Sequence, residues 1–280
     1  FLSFRAFPMR MLNDRLILSP SDLIRFQACA HASALDLRYA RGEPLDPADD
    51  DAGTALIQKK GFDHEEAYLA RFDAADVFAV ERRTPFAEAA AQTVAAMRAG
   101  VPVVYQGALA TGAWQGWSDF LERIDRPSAL GTFSYVVADT KLKRRAEPKH
   151  ALQLALYSRA VAEIQAAAPD CAFVVIGTGE RVPVPLADVS AYANRLAERL
   201  EAFVASPALT APDPVDYCGM CRWRKMCDAD YDAADSLVRV AGITGSQRRK
   251  LVAAGIDTLE KLAAADTGVR GMDPATFEKL

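Results

Sequence analysis

The sequence predicts an α/β domain followed by a small all-α module. β-rich segments separated by Gly-containing turns occupy the middle of the chain, roughly 101–142. Amphipathic helical stretches flank them on both sides, and past residue 236 the texture changes to short helices around Gly-Ile turns. At 280 residues there is room for one large domain and a small one, with expected extents 12–235 and 236–280.

The helical expectations come in chain order. "SPSDLIRFQACAHASALDLRYARG" (19–42) has apolar residues at helical spacing behind Ser19 or Ser21 as N-cap. "EPLDPADDDAG" reads as an acidic loop. "TALIQKKGFDHEEAYLARF" and "PFAEAAAQTVAAMRAG" are helices, the second stopping at Gly100. "VPVVYQGAL", "WQGWSDFLERI" and "LGTFSYVVADTKL" read as an antiparallel meander. A long helix begins at Pro148, "CAFVVIGTG" is a buried strand, "RVPVPL" an edge strand, and "DVSAYANRLAERLEAFVAS" a further helix.

A net charge of -4 gives no global attraction to polyanions, so a nucleic-acid site must be a local basic patch. Arg5, Arg10, Asp14 and Arg15 interrupt the opening apolar stretches, which argues against a signal peptide; no apolar span reaches membrane length, and a cytoplasmic protein without membrane partners is expected. Opening on Phe, with Met9 and Met11 as alternative starts, suggests a fragment. The end "GMDPATFEKL" stops within a helix, so continuation is expected.

Chemistry concentrates in "VVADTKLKRRAEPKHALQLALY" (136–157). Asp139 and Lys141 are alternate residues at a strand end and project together. Asp119, in the preceding β segment, is brought beside Asp139 by a hairpin. Two converging carboxylates suit Mg²⁺ or Mn²⁺, and a lysine there can orient water and stabilise charge on a phosphate. The alternative is a strand-exit cap with a solvated lysine. Gln153 and Tyr157 share a helix face at i, i+4. His64 is a candidate ligand with Glu65 beside it as a competing donor. Lys143, Arg144, Arg145 and Lys149 make a basic run that is either a solvated face or a phosphate contact.

The ordered set His64, Asp119, Asp139-x-Lys141 and Gln153-x-x-x-Tyr157 resembles RecB-like nucleases of the PD-(D/E)XK superfamily, over roughly residues 15–230. The resemblance implies a restriction-endonuclease-like core, a central mixed sheet flanked by helices. It also implies metal binding by His64, Asp119 and Asp139, catalysis by Lys141 and DNA contact by Gln153 and Tyr157. Ser118 replaces the Pro of the pattern, and the second acid is Asp where Glu is usual.

Five cysteines without an export signal argue against a disulfide framework. Cys218, Cys221 and Cys227 form C-x2-C-x5-C, with Cys29 as a remote fourth thiolate. That lopsided arrangement suits a 4Fe–4S cluster better than zinc, which usually takes two close pairs. It also resembles the iron–sulphur staple of AddB and the CRISPR-associated exonucleases. Cys171 opens an apolar strand and reads as a core residue. Arg222, Trp223, Arg224 and Lys225 either offer charge and a stacking ring to single-stranded DNA or shield the cluster. The tail resembles a helix-hairpin-helix module in which Arg248, Arg249 and Lys250 attract phosphates, a small helical spacer being the alternative.

The leading expectation is therefore a Mg²⁺- or Mn²⁺-dependent deoxyribonuclease, exonuclease more than endonuclease, acting on single-stranded or end-frayed DNA in repair, recombination or mobile-element processing. Family layout implies a following helicase or RNase H-like domain. A non-catalytic DNA-end-binding module and a redox or scaffold metalloprotein are the competing readings.

Overall fold

The structure is a computed structural model and describes residues 9–48, 52–266 and 268–280. The opening segment with Arg5 and part of the acidic loop, residues 49–51, lie outside the described residues. The chain divides into two compact units, one made of residues up to Glu43 with those from 50 to Ala208, the other of Pro44–Asp49 with Leu209–Leu280. The cysteine-rich segment thus belongs to the second unit, whose longer stretch begins at Leu209.

The first unit opens with a hairpin, β1 (Arg10–Leu12) and β2 (Arg15–Ile17). Asn13 and Asp14 turn it, both at positive φ (47° and 60°), a conformation their short polar side chains tolerate. The predicted single helix over 19–42 is two: α1 (Pro20–Ala28) and α2 (Ala30–Ala40). Cys29 separates them in extended conformation (φ -158°, ψ 105°), and its sulfur accepts the Ala32 N–H at 3.4 Å as the N-cap of α2. Arg25 bridges buried Asp22 (3.2 Å) and Asp36 (2.7 Å), tying the two helices across the break.

Then come α3 (Ala52–Leu69), the short β3 (Val77–Ala79), α4 (Phe86–Arg98), β4 (Val103–Thr111), β5 (Trp114–Ile124) and β6 (Ser134–Thr140). After these follow α5 (Pro148–Gln165), β7 (Cys171–Val175), β8 (Arg181–Pro185) and α6 (Ser190–Ala205). The six strands β3 to β8 lie in sequence order in one sheet. β4, β5 and β6 are the antiparallel meander; α4 and α5 act as crossovers for the parallel pairs β3–β4 and β6–β7. β8 closes one edge antiparallel to β7, with Pro183 and Pro185 in register opposite Phe173 and Cys171.

Alternation along the strands divides the core into two layers. Val104, Leu121, Val137 and Val174 face α1, α5 and α6 through Leu23, Leu152, Leu156, Leu196 and Leu200. Val103, Phe120, Ala138 and Val175 face the other way, onto Tyr68 of α3. Tyr68 meets Phe120 edge-on, with ring centroids 5.0 Å apart.

In the second unit a 3₁₀ segment (Asp216–Met220) leads into α7 (Arg224–Ala233), then α8 (Gly245–Ala253), α9 (Leu259–Ala263) and α10 (Pro274–Phe277). Leu237, Leu251 and Val269 form its small core. The Ala48 N–H donates to the Arg222 carbonyl at 2.7 Å, which fastens the 44–48 segment to the cysteine region. Among the described residues no helix is long and apolar enough to cross a membrane.

Candidate active site

The site is built where β5 and β6 part. Their ladder runs to the pair Phe120–Ala138, and one further step of the same register sets Asp119 against Asp139. Both acids have the parity of Leu121 and Val137, so they lie on the α5 face of the sheet. Directly opposed residues bring their Cβ atoms to roughly 5 Å. The Asp119 carboxylate takes the place of the next ladder bond: its Oδ2 accepts the Thr140 N–H at 2.8 Å and the Thr140 hydroxyl at 3.0 Å. Across from Asp119, Gln106 sits at φ 56°, in the left-handed region, and the β4–β5 register skips that pair. A non-glycine residue held this way is strained by roughly 1–3 kcal/mol, a cost met most often at functional sites.

Lys141 leaves the strand with its N–H on the Val175 carbonyl (2.8 Å), and its ammonium pairs with Asp139. Gln153 Nε2 reaches Asp139 Oδ1 at 3.4 Å from α5. Asp119, Asp139, Lys141, Gln153 and Tyr157 line one cavity of about 320 Å³ together with Arg10, Arg82 and Trp117. The ring of Tyr157 is buried, and it packs so tightly on β5 that a Cβ at Gly116 would lie 2.7 Å from it. It forms part of the cavity lining and hydrogen-bonds Gln153.

The two candidates on α3 separate. His64 Nε2 lies 3.2 Å from the Val175 carbonyl, the same oxygen that receives the Lys141 N–H. Glu65 is buried and turns toward the acids: Gln106 donates to it, Arg82 donates to Gln106, and Tyr105 bonds it as well. Neither Gln106 nor Arg82 carries a motif that would have marked it in the sequence.

Electrostatics match the crowding. Burial, with Asp119 alongside, pushes the Asp139 carboxyl up to about 7 against the pull of Lys141. Glu65 is likewise raised to about 7, by burial and then by Asp119. Burial disfavours the Lys141 ammonium, but Asp139, Asp119 and Glu65 outweigh it and hold the lysine above its ordinary value. Clustered carboxylates that resist ionising together are what a divalent cation relieves, so the donor set fits Mg²⁺ or Mn²⁺.

The basic run divides too. Lys143 and Lys149 both pair with Glu147, the latter at 3.0 Å, while Arg144 and Arg145 are exposed. The loop that carries them is pinned by Gly177, whose N–H donates to the Lys143 carbonyl at 2.9 Å. In the second unit Arg248 pairs with Asp213 (2.7 Å), Lys250 bonds the Gly271 carbonyl and Arg249 is exposed. Cys218, Cys221 and Cys227 follow one another around buried Trp223, over whose ring the Arg222 guanidinium lies at 4.7 Å. The Cys218 sulfur accepts the Val215 N–H at 3.4 Å. Trp223 is therefore closed off as a stacking ring. All five cysteines are partly buried, and none is in a disulfide.

The acids thus lie on one face of a mixed six-stranded sheet that has helices packed on both of its faces. The chain belongs to the PD-(D/E)XK nuclease superfamily, whose family model matches residues 18–228. Among solved structures, the crystal structure of SSO0001 is similar over 62% of this chain and 97% of its own, at 14% identity and a TM-score of 0.28. No curated protein matches the chain.

Proposed function

We propose that the protein is a Mg²⁺- or Mn²⁺-dependent deoxyribonuclease that hydrolyses phosphodiester bonds of single-stranded or end-frayed DNA, working from ends. The observation that carries this reading is the opposition of Asp119 and Asp139 on one face of the sheet, with Lys141 paired to Asp139. Asp119 and Asp139 would hold the ion, and α3 would supply the third donor: His64, as the family resemblance implies, or Glu65, which faces the acids. The ion supplies an activated water and neutralises charge on the phosphate. Lys141, held protonated by its acidic neighbours, orients the attacking water and offsets charge developing on the phosphoryl oxygens. Gln153 keeps Asp139 aimed.

In the same reading Cys29, Cys218, Cys221 and Cys227 hold a 4Fe–4S cluster that clamps the chain, so that cluster binding becomes folding free energy. The C-terminal helices act as a helix-hairpin-helix contact to the DNA backbone through Arg248, Arg249 and Lys250.

Anaerobically purified protein should carry stoichiometric iron and sulfide and degrade DNA only with a divalent ion. Asp139→Ala and Lys141→Ala should be inactive. A wild-type protein with its cluster intact that leaves every DNA form uncut sinks the enzymatic reading and favours a DNA-end-binding role.

A further inference from the structure

We propose that the wall formed by Arg82, Phe86 and Trp117 is a subsite for one unpaired nucleotide beside the cleaved bond, an inference that rests on the nuclease reading above. Gln115, Trp117 and Asp119 alternate along β5, share a face and line the same cavity. Trp117 stands two residues, about 7 Å, from Asp119 along the strand, the reach of one nucleotide.

Trp117 is the accessible tryptophan of the chain: Trp114 is 3% exposed and Trp223 0%. Phe86 meets its ring edge-on at 5.8 Å and 88°, which steadies it and adds apolar area. The Arg82 guanidinium lies 5.8 Å from the Trp117 ring centre, and its Nε donates to Gln106. Gln106 in turn donates to Glu65, so the cation is anchored from the side of the acids. An indole with a fixed guanidinium on it suits a base and its phosphate, for which stacking and charge combine without base specificity. Arg10, held by Gln115 at 2.8 Å, lines the same cavity as a second cation.

A cavity of about 320 Å³ is at the small end of ligand pockets, which run from roughly 300 to 1,000 Å³, a scale that suits a single nucleotide rather than a longer stretch of strand.

The test is a titration of intrinsic tryptophan emission with oligothymidylate in the presence of a chelator, where nothing is cut. Binding should change the emission of the wild type and leave that of Trp117→Phe unchanged. Affinity for the single strand should fall about 5–150-fold in Trp117→Ala, the range for loss of one stacked base. Affinity for a blunt duplex should stay within about twofold. Trp117→Phe, which keeps a ring, should retain most single-strand affinity, so the reading survives if the alanine variant does not fold. Saturating oligothymidylate without an emission change, or wild-type affinity in Trp117→Ala, overturns the subsite. An emission change confined to Trp117 in a protein that never cuts DNA upholds the subsite and removes the nuclease reading instead.

Discussion

Replacing Gly177 by alanine should disable the site from behind. The added Cβ would stand 2.1 Å from the Leu142 carbonyl oxygen and 2.9 Å from its carbon, both backbone atoms, whereas ordinary contact begins at 3.4 Å. The 141–143 backbone must then retreat by about 1.3 Å (3.4 − 2.1). Gly177 is not in the left-handed region, so the effect is purely one of space. The retreat breaks the Gly177 N–H bond to the Lys143 carbonyl and pulls on the Lys141 N–H bond to Val175. Misplacing a catalytic group by about 1 Å costs on the order of 100-fold in rate. Overpacking plus one lost hydrogen bond costs about 2–4 kcal/mol, a fall in Tm of roughly 5–15 °C for a unit of this size. The assay is kcat for metal-dependent DNA digestion well below the lowered Tm, with calorimetry on the same samples. Gly61→Ala is the control: in α3 a Cβ there meets nothing within 4 Å, and the helix should gain about 0.5–1 kcal/mol without loss of rate. A Gly177→Ala protein with wild-type kcat refutes the argument that this contact holds Lys141 in place.

Asp139→Asn should raise the Tm of the metal-free protein near pH 8 while abolishing cleavage, because it removes a buried charge that its surroundings disfavour; a lowered Tm contradicts this. Both Asp139 and Glu65 have folded-state values near 7, above the ordinary carboxylate range. Their contribution to stability is greatest at low pH and declines as pH rises through that value, so metal-free protein should melt lower at pH 8 than at pH 5.5. Magnesium should reverse this trend, with protons released on binding at pH 6.5, and calorimetry in two buffers of different ionisation enthalpy reads that release. Arg144→Ala and Arg145→Ala should each weaken DNA binding uniformly across sequences and reduce the salt slope by about 1; an unchanged slope would mean that these arginines face only solvent.

Much of the scaffold is legible from local pattern. Ser19 capping α1, Pro148 opening α5, the meander and the proline-bearing edge strand follow from rules that act within a few residues. The facing of Asp119 and Asp139 is legible as well, because a hairpin fixes register and parity does the rest. The three-residue strand β3 carries no period to detect, and the Asn13-Asp14 turn signal sits inside an apolar run that hides it. The break at Cys29 is spanned by Arg25 joining Asp22 and Asp36, acids fourteen residues apart, a tertiary contact with no sequence signature. The i, i+4 spacing brings Gln153 and Tyr157 to the cavity, but it cannot say that Gly116 would let the tyrosine ring sink into the cavity lining. The relay from Arg82 through Gln106 to Glu65 requires a backbone conformation that no propensity would assign to a mid-strand glutamine.

The outer strand β8 has a bearing on assembly. With Pro183 and Pro185 in a five-residue strand, two of its amide donors are missing. A second copy, or a stray extended peptide, meets a gapped rim where continuous cross-strand bonding would be needed. The sheet therefore ends at β8 by composition, and addition of a further strand along this edge is disfavoured.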